Sequence, residues 1–103
     1  MSASQRRGTG RERAVREWYA DRDWLAFRAP ASLGVADVIA LKAGARPQLV
    51  EVKSTAQGPY EHFRPADRAD LKAAAELAGA DAVLVWWPSR GKMRAIPANE
   101  WPT

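Results

Sequence analysis

An aspartate at position 37 stands alone in the apolar run Val35-Ala-Asp-Val-Ile-Ala-Leu41, and Glu51-Val52-Lys53 follows it in the next apolar run, Gln48–Ser54. Alternate side chains of a strand share a face, so Glu51 and Lys53 project together while Val50 and Val52 project the other way. The valines read as core. Charges between them need a reason, because Glu and Lys are rarely placed inside a sheet without one. Two carboxylates a few ångströms apart repel, and a divalent cation relieves the repulsion. Mg²⁺ prefers oxygen donors and keeps several waters, so Asp37, Glu51 and the Val52 carbonyl make a sufficient set, with Mn²⁺ as a substitute. A cation there polarises a phosphate and favours hydroxide at neutral pH. The Lys53 ammonium can position or activate the attacking water, or offset charge on a pentacovalent transition state. The expected chemistry is metal-dependent phosphodiester hydrolysis. The pattern is short, and a second reading stays open: Glu51 and Lys53 as a solvent-facing charge pair, and Asp37 as the cap of a bulge or turn.

The elements that position these residues follow from periodicity. Residues 1–8 are expected to be a flexible basic arm and residues 9–103 a single domain. Thr9-Gly-Arg-Glu12 has the pattern of a capping box, and Ala14, Val15, Trp18 and Tyr19 follow at helical spacing. Trp24–Arg28 reads as a short strand, and Ala29–Gly34 as a loop. Val35–Leu41 and Gln48–Ser54 read as a hairpin around Ala43–Pro47. After an irregular segment at 56–64, a helix runs from Pro65 to Ala78, with Gly79 as its C-cap. Ala82–Trp87 and Lys92–Ile96 are the last strands. The order α-β-β-β-α-β-β predicts an α/β domain with a mixed central sheet of about five strands flanked by helices.

The stretches Gly10-Arg-Glu12-Arg13, Ser32, Ala36-Asp37-Val38-Ile39-Ala40 and Val50-Glu51-Val52-Lys53-Ser54 resemble, in order and spacing, the archaeal-type Holliday junction resolvases of the wider PD-(D/E)XK nuclease superfamily. The resemblance covers roughly residues 8–97 and implies a restriction-endonuclease-like fold. It also implies an active site of Glu12, Ser32, Asp37, Glu51 and Lys53, with Glu12 reaching the metal, and four-way DNA junctions as substrate. Ala36 stands where the superfamily pattern has a proline, which shapes a turn and is not a ligand. Glu12 keeps two readings, cap and site residue, and Glu17 is the alternative glutamate on that helix. Ser32 carries a phosphate or metal-water contact only through the resemblance.

Composition agrees with a nucleic-acid partner. The net charge is +4 and the sequence pI about 10.0, and the cations are mostly arginine, whose planar fork matches phosphate oxygens. Arg6, Arg7, Arg11 and Arg13 are expected at DNA phosphates, as are Ser32, Ser54, Gln57 and Tyr60 near the site. A solvated basic face is the alternative for the arginines. His62, the lone histidine, reads as incidental. The absence of cysteine excludes disulfides and thiolate metal sites. No apolar run approaches the ~18 residues that would span a bilayer, and no small-molecule cofactor motif is visible; a cytoplasmic location is expected. Of the adjacent Trp86 and Trp87, one is expected buried and the other covered by a second subunit, a homodimer that would also supply paired nicks. The competing functions are another branched- or single-strand-DNA nuclease and an inactive DNA-binding module of the same fold. A basic RNA-associated protein fits less well, since it needs no aspartate beside Glu-X-Lys.

Overall fold

A computed structural model describes residues 3–30 and 35–102, with side chains from Gly10 onward. Helix α1 (Ala3–Ala20) leads into strands β1 (Leu25–Arg28), β2 (Val38–Leu41) and β3 (Gln48–Ser54); helix α2 (Pro65–Ala78), β4 (Asp81–Trp87) and β5 (Arg94–Pro97) follow, and a 3₁₀ turn, Ala98–Glu100, comes last. The five strands form one sheet in sequence order. All neighbours are antiparallel except β3 and β4, which α2 connects as a parallel pair. The α/β class and the element order match the sequence reading.

The sheet is covered on both faces: β4 is apolar on both, and β3 is apolar on the face beneath α1. On one face, Val15 and Tyr19 of α1, one helical turn apart, cover Val38, Ala40, Val50, Val83 and Val85. On the other, Leu71 and Ala75 of α2 join Phe63 and Trp101 over Ala82, Leu84 and Ile96. Phe63 meets Trp101 edge-on with ring centroids 5.0 Å apart. Tyr19 is held by a hydrogen bond from its hydroxyl to Gln48 Oε1 at 2.6 Å.

Two boundaries near the site differ from expectation. Helix α1 begins at Ala3, not near Thr9, so the arm expected over 1–8 is helical from Ala3. Thr9 and Glu12 therefore lie inside the helix and form no N-terminal capping box. The physical reason is propensity: Ala3-Ser-Gln-Arg-Arg7 contains no proline, Gln and Arg are good helix formers, and Gly8 and Gly10 cost only about 1 kcal/mol each. The helix ends at Ala20. Asp23 adopts a left-handed conformation (φ 68°), and the Trp24 N–H donates back to the Tyr19 carbonyl. Strand β2 starts at Val38, which leaves Asp37 just before it instead of within it. Gly79, with φ 66°, caps α2, and the N–H of Ala80 donates to the carbonyl of Ala75.

The paired tryptophans also depart from expectation. Trp86 and Trp87 do alternate between the two faces, but each is half-buried and covered by its own chain. Trp86 Nε1 donates to the Thr55 carbonyl, and the Arg11 guanidinium lies over the Trp87 ring. Neither ring needs a second subunit to cover it.

Leu84 has no exposed surface and lies mid-strand in β4. Leu84→Ala is expected to lower unfolding free energy by about 2–5 kcal/mol in chemical denaturation. A loss below about 1 kcal/mol would show that the α2-side core is not packed as described.

Candidate active site

The hairpin register builds the site. Val38 pairs with Val50, Ile39 with Leu49 and Ala40 with Gln48, so Asp37 falls opposite Glu51. The Asp37 N–H donates to the Val50 carbonyl at 2.8 Å, and its own carbonyl accepts from the Ala29 N–H at 2.9 Å. Both sides of the Asp37 backbone are thereby tied down. The carboxylate then takes a backbone donor: the Val52 N–H bonds Asp37 Oδ2 at 2.8 Å.

Glu51 and Lys53 share one face of β3, and Lys53 Nζ is 3.2 Å from Glu51 Oε1. Glu51 lies near enough to Asp37 for the aspartate charge to act on its carboxyl. Burial and the Asp37 charge push the Glu51 carboxyl from an ordinary 4.5 up to about 7, against the opposing pull of Lys53. The two carboxylates and the ammonium form one contiguous group, on the α2 face of the sheet. The second reading of Glu51 and Lys53, a solvated charge pair, does not fit side chains only 16% and 26% exposed.

Glu12 approaches from α1. Burial and the negative charge of Asp37 raise its pKa, and Arg28 and Arg16 oppose that rise. Its Oε1 is held by Arg28 Nε at 3.3 Å. Glu17 is exposed and lines a groove with Trp18 and Asp21, away from Asp37. Glu12 is thus the glutamate of α1 that the fold directs to the carboxylate pair.

A cleft of about 220 Å³ opens over Glu51 and Lys53, lined also by Val35, Phe63, Asp67 and Asp70. Three carboxylates against one ammonium favour a cation there. Among the described residues no three of Asp, Glu, His and Cys converge closely enough to enclose a metal ion. The fit is to a cation that takes few protein ligands and keeps its waters, as Mg²⁺ does. Burial and, after it, the charge of Asp37 disfavour the ionised Glu51 carboxyl, and such a cation would relieve the repulsion between the two carboxylates. Glu12, engaged by Arg28, lies near enough to Asp37 to feel its charge.

The remaining expected contacts are scattered. Ser32 lies outside the described residues, as do the side chains of Arg6 and Arg7, whose backbones are in α1. Arg13 is exposed on α1; Gln57 is exposed in the turn after β3. Tyr60 is packed against the α2-side core beneath the Arg68 guanidinium, a structural role. Ser54 and Arg11 line a separate cleft. His62 is exposed, with its Nε2 3.1 Å from Oε2 of its neighbour Glu61. Sequence reasoning missed Arg28, Asp67 and Asp70. Arg28 is an ordinary strand-end arginine until α1 is docked, and Asp67 reads simply as a first-turn residue, accepting from the Arg64 N–H at 3.1 Å.

The model of the archaeal Holliday junction resolvase family matches residues 3–101. A search of curated proteins returned no match. Among solved structures, the fold is similar to that of Hjc, a Holliday junction resolvase from the archaeal hyperthermophile Archaeoglobus fulgidus. That comparison has a TM-score of 0.78 at 23% identity and covers 94% of this chain and 79% of the other. The family match spans both helices, all five strands and every residue of the carboxylate–ammonium group. The chain belongs to the archaeal Holliday junction resolvase family.

Proposed function

We propose that the chain resolves four-way DNA junctions by metal-assisted hydrolysis of phosphodiesters, using Asp37, Glu51, Lys53 and Glu12. Family membership makes it a structure-specific nuclease that acts on junctions. The observation that carries the chemical detail is the placing of Asp37 opposite Glu51 by the hairpin register, with the Lys53 ammonium on Glu51.

Asp37 and Glu51 would hold a divalent cation, Mg²⁺ or Mn²⁺, together with the Val52 carbonyl. When bound, the cation supplies Lewis-acid polarisation of the phosphate and a lowered pKa for a coordinated water. The chain's own residues do the rest. The Val52 N–H fixes the Asp37 carboxylate so that it is preorganised and cannot swing away. Lys53 orients the attacking water and offsets negative charge as it grows on phosphorus. Arg28 holds Glu12 toward the same point, and its exposed guanidinium is available to the substrate backbone. Arg6, Arg7, Arg13, Ser32 and Gln57 are the further DNA contacts of this reading.

A junction needs two symmetric nicks, which a two-fold dimer supplies. Leu77 on α2 is 91% exposed, an apolar side chain available to a partner. No helix among the described residues is long and apolar enough to cross a membrane. A cytoplasmic protein working on DNA without a small-molecule cofactor accords with this reading.

Cleavage of a labelled synthetic four-way junction is expected only with Mg²⁺ or Mn²⁺. Asp37→Asn and Lys53→Ala are each expected to lower the rate at least about 10²-fold while junction binding persists. Normal cleavage by both variants would remove the site assignment. Light scattering should give twice the 11.3 kDa chain mass at micromolar concentration, and a strict monomer would remove the dimer.

Glu51 also sets a pH dependence. Its folded value, about 7, lies above the ordinary 4.5, so folding favours the protonated form. That contribution to stability is complete below 4.5 and is lost as pH rises through about 7. Metal-free melts are expected to show Tm falling across this window, and Glu51→Gln should flatten the fall. Mg²⁺ should raise Tm most at the upper end, where the carboxylate is free to bind it. An identical slope in the wild type and Glu51→Gln would contradict this account.

A further inference from the structure

Among the described residues, two further clefts lie away from Glu51 and Lys53. One, between Glu17, Asp21, Arg22 and Lys92, is mixed in charge and selects no partner. The other, about 270 Å³, opens at the carboxyl ends of the parallel strands β3 and β4, where Arg11, Ser54, Thr55, Trp87 and Ser89 meet. Its lining includes a guanidinium and three hydroxyls but no Asp or Glu, in contrast to both other clefts.

The Arg11 guanidinium sits over the Trp87 ring, 4.6 Å from its centroid. It makes no ion pair with any Asp or Glu among the described residues. Stacking uses the face of the guanidinium and leaves the N–H donors at its edge free, which is the geometry that meets phosphate oxygens. The Thr55 hydroxyl is already committed, donating to the Gly58 carbonyl and accepting from Trp86 Nε1, so it forms a wall. The hydroxyls of Ser54 and Ser89 are exposed. Ser54 directly follows Lys53 in β3 but points to the opposite face of the sheet. It lies about 10 Å along the strand from Glu51, taking a rise of ~3.3 Å per residue. A DNA strand rises ~3.4 Å per nucleotide, so one strand crossing the end of β3 spans both places.

We propose that Arg11, stacked on Trp87, forms with Ser54 and Ser89 a subsite for a backbone phosphodiester of the substrate strand, beyond the one that is cut. This rests on the nuclease reading above. The DNA would pass over the end of the sheet, from the α2 face that holds the carboxylates to the α1 face that holds the anion cleft.

The test is binding of a labelled four-way junction in EDTA, followed by fluorescence anisotropy over a range of salt. Arg11→Ala is expected to reduce the slope of log affinity against log salt by about 0.7–0.9, one phosphate contact. Arg11→Lys keeps the charge and should retain the slope. Ser89→Glu, at an exposed position, places a carboxylate in the cleft and should weaken binding about 10-fold or more. Should Arg11→Ala fold poorly, Ser89→Glu decides alone. Wild-type slope and affinity in Arg11→Ala and Ser89→Glu would overturn the subsite while leaving the nuclease intact. A wild-type chain that neither prefers the junction to linear duplex nor cuts it with Mg²⁺ would overturn the function instead.

Discussion

The hydrogen bond from the Val52 N–H to the Asp37 carboxylate joins the fold to its chemistry. In a regular antiparallel ladder a backbone carbonyl of the partner strand would accept that N–H. Here the carboxylate substitutes, strand β2 starts one residue later, at Val38, and the acid is pinned opposite Glu51. Like charges directly across a ladder are unfavourable, and this repulsion adds to burial in raising the Glu51 pKa. The protein tolerates the repulsion locally because the valines around it are packed without exposure: Val38, Val50 and Val85 lie on the reverse face beneath α1. The stability of that face allows charge on the other.

A domain of 103 residues has little surface to spare, and its features are placed at one end of the sheet. The carboxyl ends of β3 and β4 bring together the carboxylate pair, the cleft beneath α2 and the anion cleft beside α1. This is the end at which open α/β sheets bind ligands, since the strand ends are not covered by the helices that flank them. Acidic and basic clefts on opposite faces of one strand follow from alternation: Glu51 and Lys53 face one way, Ser54 the other. A phosphate backbone needs both, with cation-binding acid where a bond breaks and arginine where charge is only held.

Legibility differed from residue to residue. Asp37, Glu51 and Lys53 could be read because a polar group in an apolar period-2 run is conspicuous, and the hairpin register follows from matching Val35–Leu41 with Gln48–Ser54. Glu12 was legible only as one of two glutamates on α1, and its capping-box signature pointed to a helix start near Thr9, whereas α1 begins six residues earlier, at Ala3. A short capping pattern inside a good helix former is overridden by propagation, because each added turn brings a hydrogen bond without a new nucleation cost. Trp86 and Trp87 were assigned to opposite faces correctly. Their cover was not, because Arg11 and Thr55 are distant in sequence and approach only when α1 and the loop after β3 are packed.

Local periodicity thus determined the elements, the α/β class and the three charged residues at the sheet's end, since strand alternation and helix spacing act over a few neighbouring residues. Tertiary packing alone decided which glutamate of α1 turns inward, that Arg28 holds it, that Asp67 and Asp70 border the cleft over Glu51 and Lys53, and that Arg11 stacks on Trp87. Those pairings depend on how two helices dock on a twisted sheet, and long-range geometry of that kind leaves no periodic trace in the chain.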